Sequence, residues 1–334
     1  MNNRGPDRGM FQQTEPLAGG RQAARRRNDA RAYSPPSPAD IRATVPLANM
    51  DAPVQAEPEQ AVLDSVEDVE VPAKPGLRNL FAQLTRGEPG QGKPRAHERD
   101  LRERIRVPVV GAFPIAVVSA KSGVGKTAVV ETLGSIFAEA RDDRVIAVDV
   151  DTGDLAGRLG SRNSSGLDVF GHPDYAHSDW QIKRDDVVKA FSMLRKRYSV
   201  LLVDCGKTLK SNVTEAVLSE SEALVLVTNT SIDAIRKTWS MLDWLGSNGY
   251  QNLVESAVLA INRTEQRKPR AWVSKELREL SERFSPERVV VLPFDRHVHD
   301  DNQILPSRLS QESRRRYLEL AAALADMFGG QQRR

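Results

Sequence analysis

The 334-residue sequence predicts an α/β fold, a mainly parallel sheet with helices on both faces, preceded by a long disordered segment. The sheet is predicted by six short, near-continuous apolar runs between residues 115 and 295, separated by stretches with helical patterning. Such runs are the mark of parallel strands buried on both faces. The leading segment is predicted by composition. Residues 1–107 hold 12 of the 19 prolines but only three of the 18 aromatics, too little apolar surface to offset the entropy of ordering. The expected division is a Pro-rich, charged leader over 1–107 and one domain over 108–330, of ordinary domain size.

Charge in the leader is blocked. Residues 1–50 carry eight Arg against four acids, with Arg25, Arg26 and Arg27 consecutive, and residues 51–70 carry seven acids and no base. One amphipathic piece, Gly76–Leu84, has the pattern of a helical turn or two. The domain then opens with a strand at Ile115–Ala120, a glycine-rich turn and a helix over Lys126–Ala140. Further strands are expected at Arg144–Val150, Tyr198–Gly206, Ala223–Thr230, Ala257–Arg263 and Val289–Asp295, with a helix over Lys183–Tyr198. The clearest helix spans Ser231–Gly246, where Ile232, Ile235, Trp239, Leu242 and Leu245 recur at helical spacing. Ser231 is its expected N-cap and Gly246 its expected stop. The last helix, Arg314–Phe328, carries an apolar face of Tyr317, Leu320, Leu324 and Met327 or Phe328. Beyond Arg314, Arg315 and Arg316 its other face is alanine and acid rather than basic, which predicts packing on the core and not on a membrane surface.

Several classes are excluded. A single cysteine, Cys205, rules out an intramolecular disulfide framework and a Cys-rich zinc site. No apolar run approaches the roughly 18–20 residues of a membrane span, and the first residues lack the apolar core of a secretory signal. The net charge of +3 is too small to advertise nucleic-acid binding, and residues 108–334 are nearly balanced at 31 bases against 30 acids. His297 and His299 form an H-x-H with no third ligand nearby, so no metal site is expected there.

The chemistry is concentrated in Lys121-Ser122-Gly123-Val124-Gly125-Lys126-Thr127-Ala128, placed between a strand and a helix. Gly123 and Gly125 let the backbone turn its N–H groups toward phosphate oxygens, and the helix that follows adds its positive dipole end. Lys126 would reach the β- and γ-phosphates of ATP and the Thr127 hydroxyl would bind Mg²⁺. The strict phosphate-loop pattern asks for glycine at its first position, where this sequence has Ala120.

Lys121, five residues before Lys126, has the spacing of the deviant Walker motif, and here the sequence resembles the MinD/ParA class of P-loop ATPases. The resemblance implies that Lys121 acts on the nucleotide of a partner subunit in an ATP-dependent homodimer. Ser122 stands where that class usually has glycine. It also implies that Asp151 orients the attacking water and that Asp149 lies near Mg²⁺. Asp204, ending the apolar run Leu201–Val203, would hold the metal's hydration shell as a Walker B aspartate. Asn262 takes the adenine-facing place, and Pro293 and Asp295 belong to the loop over the base. Downstream, Met241–Val254, Leu292–Val298 and Arg314–Phe328 are similar to the EspI-type ATPase domains associated with actinobacterial type VII (ESX) secretion, as is the long charged leader.

That similarity implies a slow, cytoplasmic ATPase, peripheral at the inner face of the membrane, that regulates secretion and contacts secretion components through its leader. Two other readings stay open. One is a ParA-like DNA-partition or positioning ATPase on non-specific DNA, which the balanced charge does not favour. The other is a nucleotide-binding scaffold without hydrolysis, motivated by Ser122 and the short interval between Asp151 and Asp204.

Overall fold

The computed structural model describes residues 94–150, 154–171, 182–206, 208–299 and 303–329. Most of the leader, including Gly76–Leu84, lies outside these residues, as does Asp151.

Seven parallel strands form one sheet: β1 (Phe113–Val118), β2 (Val145–Asp149), β3 (Asp168–Phe170), β4 (Val200–Asp204), β5 (Ala223–Asn229), β6 (Val258–Asn262) and β7 (Val289–Leu292). Their spatial order is β3-β2-β4-β1-β5-β6-β7. The six strands expected from the apolar runs are all present. The three residues of β3 were not expected; Asp168-Val169-Phe170 is no apolar run, and it is a strand because it pairs with Ile146–Val148.

Alternate residues of the central strands enter two cores, as period-two side-chain geometry requires. Ile115, Val117, Leu202 and Val225 face α1 (Pro94–Ile105), α2 (Lys126–Ala140) and α10 (Gln311–Ala325). Ala116, Val118, Leu201, Val203 and Leu224 face the opposite layer of α4 (Arg184–Leu194), α5 (Asn212–Glu220), α6 (Ile232–Ser247), α7 (Gln251–Glu255) and α8 (Ala271–Ser281). The short helices α3 (Asp154–Leu159) and α9 (Arg296–His299) follow β2 and β7. The last helix packs on the core as expected, with Tyr317, Leu320, Leu324 and Phe328 buried.

Two boundaries differ from expectation. The division at 107/108 is displaced, because α1 belongs to the fold. Leu101 and Ile105, one turn apart in an otherwise charged helix, are buried against α10. The Arg141 guanidinium closes the end of α1 by donating to the carbonyls of Ile105 and Val107 and lies 5.1 Å from the Phe328 ring centroid. Arg104 pairs with Asp326 across the two helices. Ser231 caps α6 as expected, its Oγ accepting from the Ala234 N–H at 3.4 Å. Gly246 does not stop α6, which continues to Ser247. The chain turns instead at Gly249, whose φ of 87° suits glycine.

Candidate functional site

The order of the strands fixes where a ligand can sit. From β1 the chain crosses α2 to β2 on one side, and from β4 it crosses α5 to β5 on the other, while β1 and β4 are neighbours. Their carboxyl ends border the crevice that such a switch in direction opens. The loop after β1 and the last residue of β4 meet there.

Backbone conformation shapes the loop. Gly123 and Gly125 have φ of 75° and 85°, which residues with a Cβ rarely adopt. A Cβ at Gly125 would collide with the side-chain amide of Asn262. That amide donates to the Val124 carbonyl at 2.8 Å, so the end of β6 holds the loop from the side. Val124 plugs into the core, Ser122 and Gly123 are exposed, and Ala128 is half-buried in the first turn of α2.

Three groups converge at the loop's base. The Lys126 ammonium is ion-paired with Asp204, and the Thr127 hydroxyl donates to the other Asp204 oxygen at 2.7 Å. Asp204 is 1% exposed. Burial pushes its carboxyl above the ordinary range, a rise that Lys126 and Thr127 oppose and that neighbouring Asp149 reinforces. Asp149 sits beside Asp204 in the β2–β4 register, and its Oδ2 accepts from the Leu155 N–H at 2.9 Å. A hydroxyl and two carboxylates at a phosphate-binding loop form an all-oxygen donor set, which fits a hard cation such as Mg²⁺. Among the described residues no group of three or more His, Cys, Asp or Glu could hold a metal by itself. Mg²⁺ ordinarily takes one or two carboxylates beside phosphate oxygens.

Lys121 points elsewhere. Its Nζ lies 3.1 Å from Asp233 Oδ2 and donates to Ser231 Oγ at 3.4 Å, both at the start of α6. Lys237 and Lys121 hold the Asp233 carboxyl below its usual range. Asp295 is also engaged, accepting from the His297 N–H at 3.0 Å and the Ser310 N–H at 2.9 Å. It thereby fastens the loop after Pro293 to the start of α10. His297 Nε2 accepts from the Leu305 N–H at 2.9 Å, and the His299 ring lies 4.5 Å from that of Phe294.

The structure thus brings together Val124, Gly125, Lys126, Thr127, Asp149, Asp204 and Asn262. Lys121 joins the adjoining turn before α6. Sequence reasoning missed Asp233, Ser231 as the Lys121 acceptor, and Glu131, a carboxylate fully buried in α2. The one signal for Glu131 was an acid in the middle of an apolar run, Val129-Val130-Glu131.

Comparison with known proteins agrees with this geometry. The family model described as the CobQ/CobB/MinD/ParA nucleotide binding domain matches residues 115–325. The chain is 33% identical over 281 residues to the ESX-1 secretion-associated protein EspI of Mycobacterium tuberculosis, a match covering 76% of this chain and 42% of that protein. The chain therefore spans less than half the length of these curated relatives. It is 28% identical over 230 residues to a septum site-determining protein MinD of Oltmannsiellopsis viridis, covering 60% of this chain and 70% of the other. Among solved structures, a ParA family ATPase from Chlorobium tepidum TLS aligns with a TM-score of 0.53 at 19% identity, over 64% of this chain and 98% of that one. The apo McdA structure from Cyanthece aligns at 0.51 and 14%, over 64% and 99%. At these identities the likeness is one of fold.

Proposed function

Because the chain belongs to the CobQ/CobB/MinD/ParA nucleotide-binding family, we propose that it is a Mg-ATP-binding, slowly ATP-hydrolysing switch protein of the cytoplasm that regulates type VII (ESX) secretion. The observation that carries this reading is the convergence of Lys126 and Thr127 on Asp204 beside a glycine loop at a switch in strand direction. Similarity to EspI supports the link to secretion. Among the described residues no helix is long and apolar enough to cross a membrane.

In this reading Lys126 exchanges Asp204 for the β- and γ-phosphates, and the N–H groups of residues 122–128 surround phosphate oxygens. The Thr127 hydroxyl would hold Mg²⁺ and Asp204 its hydration shell, with Asp149 nearby; the ion would supply neutralisation of charge on the transferred phosphoryl group. Asp151 orients the attacking water. Lys121 leaves Asp233 to act on a partner's nucleotide, which makes the active form a homodimer. The leader contacts secretion components.

The test is turnover by the purified chain beside its Lys126→Ala variant. Phosphate release by the wild type that the variant lacks is expected, and equal rates would refute the enzyme reading. Retention of non-specific DNA by the ATP-bound wild type, falling steeply with salt, would point to a positioning ATPase instead.

A further inference from the structure

We infer that Glu131, one turn beyond Thr127 in the helix that begins with Lys126, is a positioning residue that aims Asp149 at the metal end of the site. The inference rests on the Mg-nucleotide reading above and assigns that site a residue from outside it.

Glu131 lies five residues beyond Lys126 in α2, and none of it is exposed. A buried carboxylate is costly unless its oxygens are answered. Here the two oxygens face different segments, one through a hydrogen bond and the other through an ion pair without one. Oε1 accepts from the backbone N–H of Ile304, in the stretch between α9 and α10. Oε2 stands 3.0 Å from Nη2 of Arg158, in α3. Burial still holds the Glu131 carboxyl above its usual range, against the opposing pull of Ile304 and Arg158.

The Arg158 contact matters because of what α3 does at its other end. α3 has only six residues, too few to be stable as an isolated helix. Tertiary contacts must hold it: Leu155 and Leu159 pack in the core that contains Val129, Val130 and Leu133 of α2, and Arg158 is tied to Glu131. The N–H of Leu155, in the first turn of α3, donates to Asp149 Oδ2 at 2.9 Å. The orientation of the Asp149 carboxylate therefore depends on where α3 sits, and α3 is fixed to the phosphate-binding helix through Glu131 and Arg158. The Glu131 carboxylate also reaches the base-side loop through Ile304, whose neighbour Leu305 donates to His297. One buried side chain thus joins the metal side and the base side of the crevice to the helix that begins with Lys126.

Glu131→Gln is the direct test, since the amide oxygen can still accept from Ile304 while the charge facing Arg158 is lost. In the 334-residue chain, binding of a fluorescent ATP analogue is titrated with Mg²⁺, and exchange of the Leu155 amide is followed by hydrogen–deuterium exchange. The expected result is a Mg²⁺ requirement raised about threefold or more, faster Leu155 exchange, and analogue affinity in EDTA within about twofold of wild type; threefold corresponds to roughly 0.7 kcal/mol. Arg158→Met should act the same way, and the double variant should be no worse than the more affected single variant, as for two residues acting as one unit. A folded Glu131→Gln variant with wild-type Mg²⁺ dependence and Leu155 exchange would overturn the inference, as would additive effects in the double variant. If Glu131→Gln does not fold, Arg158→Met is measured in the same two ways, and wild-type behaviour in both would again overturn the inference. A wild type that binds the analogue identically with and without Mg²⁺ would refute the function itself. Leu155 exchange would then still show whether the pair anchors α3.

Discussion

The side-chain amide of Asn262, at the end of β6, donates to the carbonyl of Val124 in the phosphate-binding loop at 2.8 Å, across 138 residues of sequence. The contact is possible because the residue between Val124 and Lys126 has no Cβ. Gly125→Ala would place a methyl group against that amide at a φ of 85°. The left-handed conformation alone costs about 1–2 kcal/mol for a residue with a side chain. Nucleotide affinity is expected to fall by about five- to thirtyfold, the equivalent of that energy. Adding Asn262→Ala should recover part of the loss by removing the collision but not the strained φ. Titration with a fluorescent nucleotide reads both.

Lys126 has a structural duty as well as a chemical one. Lys126→Ala leaves Asp204 buried without its cation, and breaking a buried pair typically costs about 3–5 kcal/mol. A second change, Asp204→Asn, removes the stranded charge. In urea denaturation without nucleotide, the double variant should be more stable than Lys126→Ala. Neither variant should bind nucleotide.

The Lys121–Asp233 pair is partly exposed, and such pairs add little stability. Asp233→Ala should therefore leave the melting temperature nearly unchanged while releasing Lys121. If Lys121 serves a partner's nucleotide, light scattering with ATP will show more dimer for Asp233→Ala than for wild type. Lys121→Ala should show less, with ATP binding retained.

Asp295 gives a pH signature. Burial would raise its carboxyl, but hydrogen bonds from Ser313, Ser310 and His297 outweigh burial and hold it below its ordinary 3.8. A carboxyl depressed on folding contributes stability above its unfolded value, and that stability is lost as pH falls through the lower folded value. Asp295→Ala should cost about 0.5–2 kcal/mol at pH 7, the range for losing a helix cap. The deficit should persist at pH 5 and shrink below pH 3.8. Denaturant titrations at pH 7, 5 and 3 measure it.

The start of the folded unit can be tested by truncation. A chain beginning at residue 108 lacks Leu101 and Ile105, both buried against α10. It should melt well below a chain beginning at residue 94. Leu101→Ala alone should cost about 2–5 kcal/mol, as core leucines do.

Much of this molecule was legible before folding was considered. The six apolar runs became strands, Lys126–Ala140 became α2, and Ser231 capped α6, since each rests on neighbouring residues. β3 and α1 were not legible. Val169 and Leu101 are modest signals in polar surroundings, and only β2 in one case and α10 in the other explains why those stretches are ordered. Of the residues named from motif, strand position and resemblance, packing brings Lys126, Thr127, Asp149 and Asp204 together and sets Asn262 against Val124. The contacts of Asp295 with the His297 and Ser310 N–H groups carried no sign in the sequence. Glu131 and Asp233 were not found, because an acid in a helix carries no local sign of what will face it.

The sequence by itself determined the class of fold, the glycine-rich strand–loop–helix and the kind of residue available at each candidate position. These follow from backbone preferences and side-chain periodicity, which act over a few residues. Tertiary structure decided the partners: Lys126 with Asp204, Lys121 with Asp233, Asn262 with Val124, Glu131 with Arg158 and Ile304. A charge or amide withdrawn from water must be answered by whatever packing brings within reach, and packing joins residues far apart in the chain.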